Sequence, residues 1–426
     1  MNRVSPALMK LLNGYGRLQS LVVHPKAPKD TGDFEPIVRF IVASDSHITT
    51  IGDIQTTRVE KMIKVGNKIA EKSKKYKRLD AVIIAGDVTD RGRKIAYGSI
   101  KSAISAVKKK DTQFLATISH SHDDHNLGKG SLECYMSVMG QETDFHRVIN
   151  GFHFIGLSAS KNEGEHYGEY QKIWLKEQLD QAVADDASKP VFVFQHEHIS
   201  NTVYGSSDFE GWGIPDFAPI LKEYPQIIDF SGHSHYPIND ARSVWQGEYT
   251  AFGTGGLYFA EFTFDDERTV HPKGWRFVST FWVVEIDKDN RIRLRAVDLL
   301  SQKYLCEYVL NSPFERKYTP EQRKLKSNAP RFADNATVKL IGNKVIFDAA
   351  ESTDGMPVFI YRVFAVDTKG ERRQIARQLS GYFRAEPEKK IRIKIDKSLI
   401  SEEYCEVVAE NCYGLQSKPL FFRYFN

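Results

Sequence analysis

Short apolar segments that run directly into polar, ligand-type residues recur along this chain, and this feature constrains the fold most. Each segment has the length of a strand and is followed within two residues by Asp, Ser or His; the segments are 37–43, 81–85, 114–118, 191–194 and 227–230. Helical patterns near 56–75 and 96–109 lie between the first three. Such alternation predicts a sheet containing parallel strands, whose carboxyl ends meet at one edge. We therefore expect the polar residues to gather there.

The polar residues at these strand ends are of the types that bind divalent transition metals. They are Asp45, His47, Asp87, Ser121, His122, His196, His233 and His235. Mixed carboxylate and imidazole ligands suit Mn, Fe, Co, Ni and Zn, whereas Mg and Ca prefer oxygen ligands alone. A carboxylate such as Asp87 can bridge two ions about 4 Å apart, which together can clamp phosphate oxygens. One such residue alone more often caps a loop, but the whole set predicts a metal site.

The same residues resemble, in order, the motifs of the calcineurin-like metallophosphoesterases, over about residues 37–300. The resemblance lies in Asp45-Ser46-His47 (D-x-H), residues 86–92 (GDVTDRG, for G-D-x-x-D-R-G), His122-Asp123 (for the end of G-N-H-D/E), the isolated His196, and residues 232–235 (GHSH, for G-H-x-H). Each motif is weak alone, but five in order are specific. The resemblance implies a four-layer α/β/β/α sandwich, and the tail further resembles bacterial members similar to class III cyclic-nucleotide phosphodiesterases.

The resemblance also implies a role for each matching residue. The first of two divalent transition-metal ions (Mn, Fe, Zn, Co or Ni) would be held by Asp45, His47, Asp87 and His235. The second would share Asp87 and take His196 and His233, with Ser121 at the position of the family's asparagine ligand. His122 would protonate the leaving oxygen or bind a phosphate oxygen, oriented by Asp90, and Arg91 would contact phosphate.

One departure from the family motif leaves two hypotheses open. His120 and Ser121 stand where the family has Gly-Asn, and a serine hydroxyl is a shorter and poorer neutral ligand than an asparagine carbonyl. His120 or a water could complete the second metal site instead. The first hypothesis is binuclear, metal-dependent hydrolysis of a phosphomonoester or phosphodiester by a metal-bridging hydroxide. The alternative is a catalytically weakened metallophosphoesterase that acts as a binding or interaction protein.

The chain divides into four predicted parts. Residues 1–36 read as an N-terminal helix and linker, 37–317 as the metallophosphoesterase domain, 318–331 as a second linker, and 332–426 as a small β-sandwich. Several short alternating segments in the last part are separated by turn residues such as Asp354-Gly355, which is typical of fibronectin type III or immunoglobulin-like domains. This domain is a candidate contact surface for substrate or a partner.

Composition excludes some classes of partner. Lys and Arg number 59 and Asp and Glu 55, so the net charge of +4 is no signature of a nucleic-acid-binding surface. Since no apolar stretch reaches about 20 residues, no transmembrane span is expected. The N-terminus is a poor secretory signal, so the compartment, cytoplasm or export, stays open. The expected small-molecule partner is a phosphate ester, for which a metal supplies the positive charge.

Several other residues admit two interpretations. Tyr204, Phe209 and Trp212 lie in a long insert and either line a substrate pocket or pack in the core. His198 is either a substrate contact or a loop histidine. The segment 123–125 is read as a solvated loop. The histidines without a matching motif are taken as structural; they are His146, His153 and His166.

Overall fold

The computed structural model describes residues 25–29, 34–124, 131–159, 166–396, 398 and 404–423. The N-terminal helix predicted within residues 1–36 lies outside these described residues. The chain forms two compact units. The first runs to Lys317, and the second comprises Tyr318 onwards with the short segments Asp240–Arg242 and Pro272–Gly274. In the part of the chain that the structure describes, no helix has the length and apolar character needed to cross a membrane.

Strands and helices alternate through the first unit. Its strands are, in chain order, β1 (Pro36–Ala43), β2 (Ala81–Ala85), β3 (Gln113–Thr117), β4 (Phe145–Ile149), β5 (Phe152–Gly156), β6 (Val191–Phe194), β7 (His198–Ile199), β8 (Gly213–Ile214), β9 (Ile227–Ser231), β10 (Val244–Gln246), β11 (Thr250–Gly253), β12 (Phe262–Phe264), β13 (Glu267–Val270), β14 (Thr280–Asp287), β15 (Ile292–Asp298) and β16 (Lys303–Leu310). Its helices are α1 (Ile54–Lys72), α2 (Lys94–Val107), α3 (Ser131–Met139), α4 (Glu169–Asp186) and α5 (Ala218–Leu221).

Two six-stranded sheets of mixed direction dominate this unit. The first has the order β16-β15-β14-β1-β2-β3, in which β1, β2 and β3 are parallel and the other pairs antiparallel. The second has the order β10-β11-β9-β6-β5-β4, parallel from β11 to β5 with an antiparallel strand at each edge. The carboxyl ends of β1, β2 and β3 therefore meet at one edge of the first sheet, as those of β6 and β9 do in the second.

The two sheets face each other across an aromatic layer and carry helices on their outer faces. The Phe40 ring of β1 lies 5.0 Å from that of Phe154 and 4.9 Å from that of Phe192, both in the second sheet. The neighbouring Ile41 packs instead in the cluster that includes Met62 of α1, because alternate side chains of a strand point to opposite faces. The apolar side of α4 packs against the second sheet. This arrangement confirms the predicted four-layer α/β/β/α sandwich.

The sequence pattern is clearer for the central strands than for the edge strands. Residues 280–286 and 292–297 alternate between apolar and polar positions as antiparallel strands do, and they form the pair β14 and β15. The strands β4 and β16, which the pattern does not single out, lie at the edges of the two sheets and include exposed polar positions. An edge strand needs no continuous apolar run, so its sequence pattern is weak.

The second unit is an all-β region preceded by one short helix. Its elements are α6 (Pro320–Lys326), β17 (Val338–Ile341), β18 (Lys344–Asp348), β19 (Val358–Val366), β20 (Arg372–Leu379), β21 (Lys390–Lys394), β22 (Tyr404–Asn411) and β23 (Leu420–Arg423). The sheets β17-β18-β21 and β20-β19-β22-β23 share one apolar core. The C-terminal β-sandwich is thus confirmed, whereas its fibronectin type III or immunoglobulin kinship stays a prediction. The segment 318–331, predicted as a linker, contains α6, which begins after the capping residue Thr319.

A buried carboxyl group in β9 predicts that stability depends on pH. Burial raises the pKa of Asp229 to about 7; its side-chain neighbours are Gln195, which donates a hydrogen bond of 3.2 Å, and Tyr249. Because this pKa exceeds the unperturbed 3.8, the folded chain binds more protons than the unfolded chain between the two pKa values. The free energy of unfolding therefore falls as the pH rises from 3.8 to about 7. We expect Asp229→Asn to remove this fall, a difference of about 2–4 kcal/mol at pH 7.

Thermal unfolding midpoints across this pH range measure the effect. Asp208→Asn, at an exposed position, is the matched control and should follow the wild-type profile. Parallel profiles for wild type and Asp229→Asn would contradict the prediction.

Candidate metal centre

Five of the predicted metal ligands share an unusual backbone conformation. Their φ angles are positive: 56° for Asp45, 48° for His47, 47° for Asp87, 70° for His233 and 56° for His235. Residues other than glycine rarely adopt this conformation, and it persists where the surrounding fold enforces it, commonly at functional sites. The loops after β1, β2 and β9 thus turn sharply and direct these side chains to one place.

The first group of ligand atoms comes from Asp45, His47, Asp87 and His235, all of which are buried. The Nε2 atoms of His47 and His235 are 3.1 Å apart, and the latter lies 3.1 Å from Asp45 Oδ1. Asp87 Oδ2 is 3.6 Å from His47 Nε2. These separations match the edges of a coordination polyhedron with metal–ligand bonds of about 2.0–2.2 Å.

The second group consists of Asp87, His196 and His233. The Nε2 atom of His196 lies 3.3 Å from Asp87 Oδ2 and 3.2 Å from His233 Nδ1. Asp87 Oδ2 therefore belongs to both groups, which is the position of a bridging carboxylate oxygen. The other oxygen, Oδ1, accepts hydrogen bonds from Ser119 and, at 3.4 Å, from Ser121.

The donor set fits metal ions. Asp45 Oδ2 accepts a hydrogen bond from Ser44, but the buried Oδ1 has no hydrogen-bond donor of suitable geometry among the described residues. His235 donates from Nδ1 to the Phe259 carbonyl at 3.3 Å, which turns its Nε2 towards that Oδ1, 3.1 Å away. His196 is oriented in the same way by the Ala85 carbonyl, at 3.0 Å. Lone pairs that converge at such distances repel unless a cation binds them, and backbone acceptors commonly orient metal-binding histidines.

The protonation states favour ligation. Burial lowers the pKa values of His47 and His233 to about 4, so both rings are neutral near pH 7 and can bind a metal. Burial raises the pKa of Asp87, but the charges of His196 and His47 outweigh it and hold that pKa well below the usual value. The centre therefore offers an ionised carboxylate and two neutral imidazoles, those of His47 and His233, whereas the Asp87 and Asp45 charges outweigh burial and raise the pKa values of His196 and His235.

His122 lies beside the two groups and carries a proton. Its Nε2 is 4.0 Å from Asp87 Oδ2, and its Nδ1 donates to the Asp90 carbonyl at 3.1 Å, with Asp90 Oδ1 at 3.6 Å. Burial lowers the pKa of His122, but the Asp90 hydrogen bond and the Asp87 charge outweigh this and raise it to about 9. The Arg91 guanidinium lies 3.5 Å from Asp90 Oδ2 and its side chain is 57% exposed, so its contact with phosphate stays a prediction.

Asp123 has a structural role that the sequence analysis did not identify. The residue is fully buried, so the interpretation of this position as a solvated loop was wrong. Its carboxylate accepts hydrogen bonds from the backbone amides of Val88 and Thr89, at 3.0 and 2.8 Å, and of Ser119 at 3.2 Å. It therefore joins the loop that carries Asp87 to the loop after β3. His125, also placed in that loop, lies outside the described residues.

Three further residues hold the loops around the centre. His198 is buried between the hydroxyls of Ser231 and Ser234, at 2.7 and 2.8 Å, and so supports the segment that carries His233 and His235. Arg58 of α1 donates to the carbonyls of Leu257 and Val278, at 3.1 and 2.9 Å. Phe259, two residues beyond Leu257, stacks on His235 with ring centroids 4.0 Å apart. Apart from the note on His198, no local sequence signal pointed to them.

The centre opens into a cleft of about 480 Å³. Trp212 lines it, as one interpretation of the insert predicted, whereas Tyr204 is buried in the core and Phe209 packs under Arg268. The residues that line the cleft are His47, Thr49, Gln55, Asp87, Asp90, Ser121, His122, Trp212, His233, His235, Tyr258, Phe259 and Glu261. A cleft with a charged floor and aromatic walls suits a ligand with an anionic group and an apolar or ring-shaped group.

Comparisons with known proteins agree with this geometry. The chain is 28% identical to a probable cyclic nucleotide phosphodiesterase of Rhodococcus erythropolis over 144 residues, which are 32% of this chain and 45% of that protein. It is also 28% identical to a probable glycerophosphodiester phosphodiesterase GpdQ of Arcobacter nitrofigilis over 203 residues, 46% of this chain and 71% of the relative. The chain thus spans less than half the length of the first relative. The family model of the calcineurin-like phosphoesterases matches residues 38–237. Residues 38–237 of this chain therefore form a calcineurin-like phosphoesterase domain.

Proposed function

We propose that this chain is a binuclear metal-dependent phosphoesterase that hydrolyses phosphodiesters. The observation that carries the proposal is the position of Asp87 Oδ2, which lies 3.6 Å from His47 Nε2 in one ligand group and 3.3 Å from His196 Nε2 in the other. One carboxylate oxygen shared by two histidine-containing groups is the arrangement that two neighbouring ions require. When bound, two divalent ions supply Lewis-acid charge for the phosphoryl oxygens and lower the pKa of an attacking water.

The residues of the chain contribute binding, orientation and a proton. His122 stands at the cleft with its Nδ1 hydrogen bonded to the Asp90 carbonyl, so its Nε2 proton is available to a leaving alkoxide oxygen. The pKa of about 9 keeps His122 protonated at neutral pH, and cations bound near Asp87 lower that value towards the range where a general acid is most effective. Asp90 is the positioning residue for this ring.

The relatives and the cleft support a phosphodiester as the substrate class. The two relatives are named for a cyclic nucleotide and for a glycerophosphodiester, both of which are phosphodiesters. Trp212, Tyr258 and Phe259 give the cleft an aromatic wall beside the ligand groups. We propose that this wall contacts the organic group of a diester while its phosphate lies over Asp87. A phosphomonoester would leave most of the wall unused.

The departure at Ser121 does not favour the alternative of a catalytically weakened binding protein. Ser121 lines the cleft and donates to Asp87 Oδ1 at 3.4 Å, whereas His120 Nδ1 lies 2.8 Å from Glu197 Oε1 rather than in either ligand group. Asp87, His196 and His233 remain for the second ion. Three protein ligands with an open position are typical of catalytic metal sites, so the missing asparagine is compatible with activity.

His122→Ala tests the proposal against this alternative. We expect its kcat for bis-p-nitrophenyl phosphate with added Mn to fall by about 10²- to 10⁴-fold, because the general acid is lost. The metal content by elemental analysis should be unchanged, since His122 groups with His47 and Asp90 but is a member of neither ligand group that contains Asp87. His146→Ala, which changes another partly buried histidine, is the control and should keep full activity.

Wild-type protein with two metals per chain but no turnover of diesters would contradict the proposed reaction and support the binding protein. A His122→Ala variant as active as wild type would overturn the role of this residue. If p-nitrophenyl phosphate is hydrolysed faster than the diester, the substrate class is a monoester instead.

A further inference from the structure

A second cluster of ligand-type side chains lies apart from the two groups around Asp87. It consists of His120, His166 and Glu197. His120 Nδ1 is 2.8 Å from Glu197 Oε1 and 3.0 Å from His166 Nδ1, and His166 Nδ1 is 3.8 Å from the same carboxylate oxygen. None of the three belongs to either group that contains Asp87. His166, a histidine without a matching motif, was interpreted as structural, and no local sequence pattern connects it with the other two.

The three ligand atoms converge from separate parts of the first unit. His120 follows β3, His166 precedes α4, and Glu197 follows β6. The distances of 2.8, 3.0 and 3.8 Å bracket the edge of about 3.3 Å expected for a tetrahedron with bonds of about 2.0–2.1 Å to a zinc ion. Three segments that are distant from one another in sequence thus each present one ligand atom to a common point.

The hydrogen bonds leave lone pairs facing that point. At most one proton can lie between the two Nδ1 atoms of His120 and His166, which are 3.0 Å apart, so at least one of them presents a lone pair. Glu197 is fully buried, and its other oxygen, Oε2, accepts a hydrogen bond of 2.8 Å from the Tyr167 hydroxyl. That bond orients the carboxylate and leaves Oε1 for the cluster, as neighbouring residues orient the carboxylate ligands of known metal sites.

We propose that His120, His166 and Glu197 bind a divalent transition-metal ion, with zinc the best match, at a site distinct from the centre around Asp87. Two imidazoles and one carboxylate form a ligand set used by catalytic zinc sites, which keep a further position open. The side chains of His120 and His166 are 24% and 34% exposed, so that open position faces solvent. His120, which stands at the glycine of the family motif, would then be a ligand of this site. This site shares no ligand with the centre around Asp87, so it does not depend on the proposed function.

His166→Ala tests this site, because the residue is remote in sequence from every ligand around Asp87. We expect full-length wild-type protein, dialysed against zinc, to hold one ion per chain more than the variant by elemental analysis. Cobalt in place of zinc should give a visible absorption in wild type that is weaker in His166→Ala, and the wild-type minus variant difference spectrum should be that of one low-symmetry site. His166→Gln should behave in the same way, and circular dichroism establishes that both variants fold.

Two controls separate this site from other binding. His146→Ala changes a histidine whose Nε2 contacts His153 Nδ1, while the other nitrogen of His153, Nε2, contacts Asp185. These three side chains therefore do not present their atoms to one common point, and the zinc content of this variant should be unchanged. Asp87→Asn should lose ions from the other centre but keep the ion that depends on His166. Equal zinc content in wild type and both His166 variants would overturn the proposal, as would an equal loss in His146→Ala. A single wild-type ion, lost in His166→Ala and kept in Asp87→Asn, would support this site and contradict the binuclear centre.

Discussion

Asp87→Asn is expected to abolish phosphodiester turnover, with kcat reduced on the order of 10³-fold or more. Removal of a residue that only hydrogen bonds to a metal ligand already costs about 10–100-fold in affinity or activity, and Asp87 is itself a proposed ligand. The carboxylate is buried, and its Oδ2 lies 3.6 Å from His47 Nε2 in one ligand group and 3.3 Å from His196 Nε2 in the other. The amide of asparagine is neutral and presents either an N–H group or a weaker oxygen to His47 and His196. Both ions should therefore bind less tightly, and the metal content should fall along with kcat.

Elemental analysis and bis-p-nitrophenyl phosphate hydrolysis, measured on the same preparation, check this expectation. Asp208→Asn, which makes the same chemical change on the surface, should retain metal and activity. Circular dichroism should show that Asp87→Asn remains folded. Unchanged turnover in a folded Asp87→Asn variant would rule out the shared-carboxylate mechanism, whereas lost turnover with both metals retained would limit Asp87 to a role in the chemistry.

Glu285→Gln is expected to destabilise the first unit by about 3–5 kcal/mol, the usual cost of breaking a buried ion pair. Glu285 of β14 is fully buried and pairs with three arginines of the first sheet, Arg39 at 2.7 Å, Arg293 at 2.6 Å and Arg295 at 2.9 Å. A neutral glutamine removes the negative charge that these three buried guanidinium groups share. The midpoint of urea unfolding, followed by tryptophan fluorescence, should fall accordingly, since Trp282 lies in the same strand.

Glu71→Gln is the matched control. Glu71 also pairs with more than one cation, Lys68 at 2.8 Å and Lys109 at 3.0 Å, but its side chain is 40% exposed. Solvent screens such pairs, so the change should cost no more than about 1 kcal/mol. Similar midpoints for the two variants would mean that the cluster around Glu285 contributes through shape rather than through charge.

The local pattern of the sequence was enough to place the strands that carry the ligands. An apolar run of strand length followed within three residues by Asp or His is a signal contained within about ten residues, and β1, β2, β3, β6 and β9 all carry it. Because successive side chains of a strand alternate between its two faces, Phe40 lies on one face of β1 and Ile41 on the other. Edge strands such as β4 and β16 carry a weaker signal, because partial exposure removes the continuous apolar run.

The grouping of the ligands was decided by the tertiary structure. That Asp87 Oδ2 faces His47 on one side and His196 on the other depends on how two sheets place their strand ends, which no local pattern encodes. The same holds for Arg58, whose carbonyl partners lie 199 and 220 residues away, and for His166, which meets His120 across 46 residues. The sequence by itself determined which residues end the strands and hence the class of ligands, because strand patterning is local. Only the folded chain decided which of them meet, because packing of the sheets and loops sets the distances between atoms that are remote in sequence.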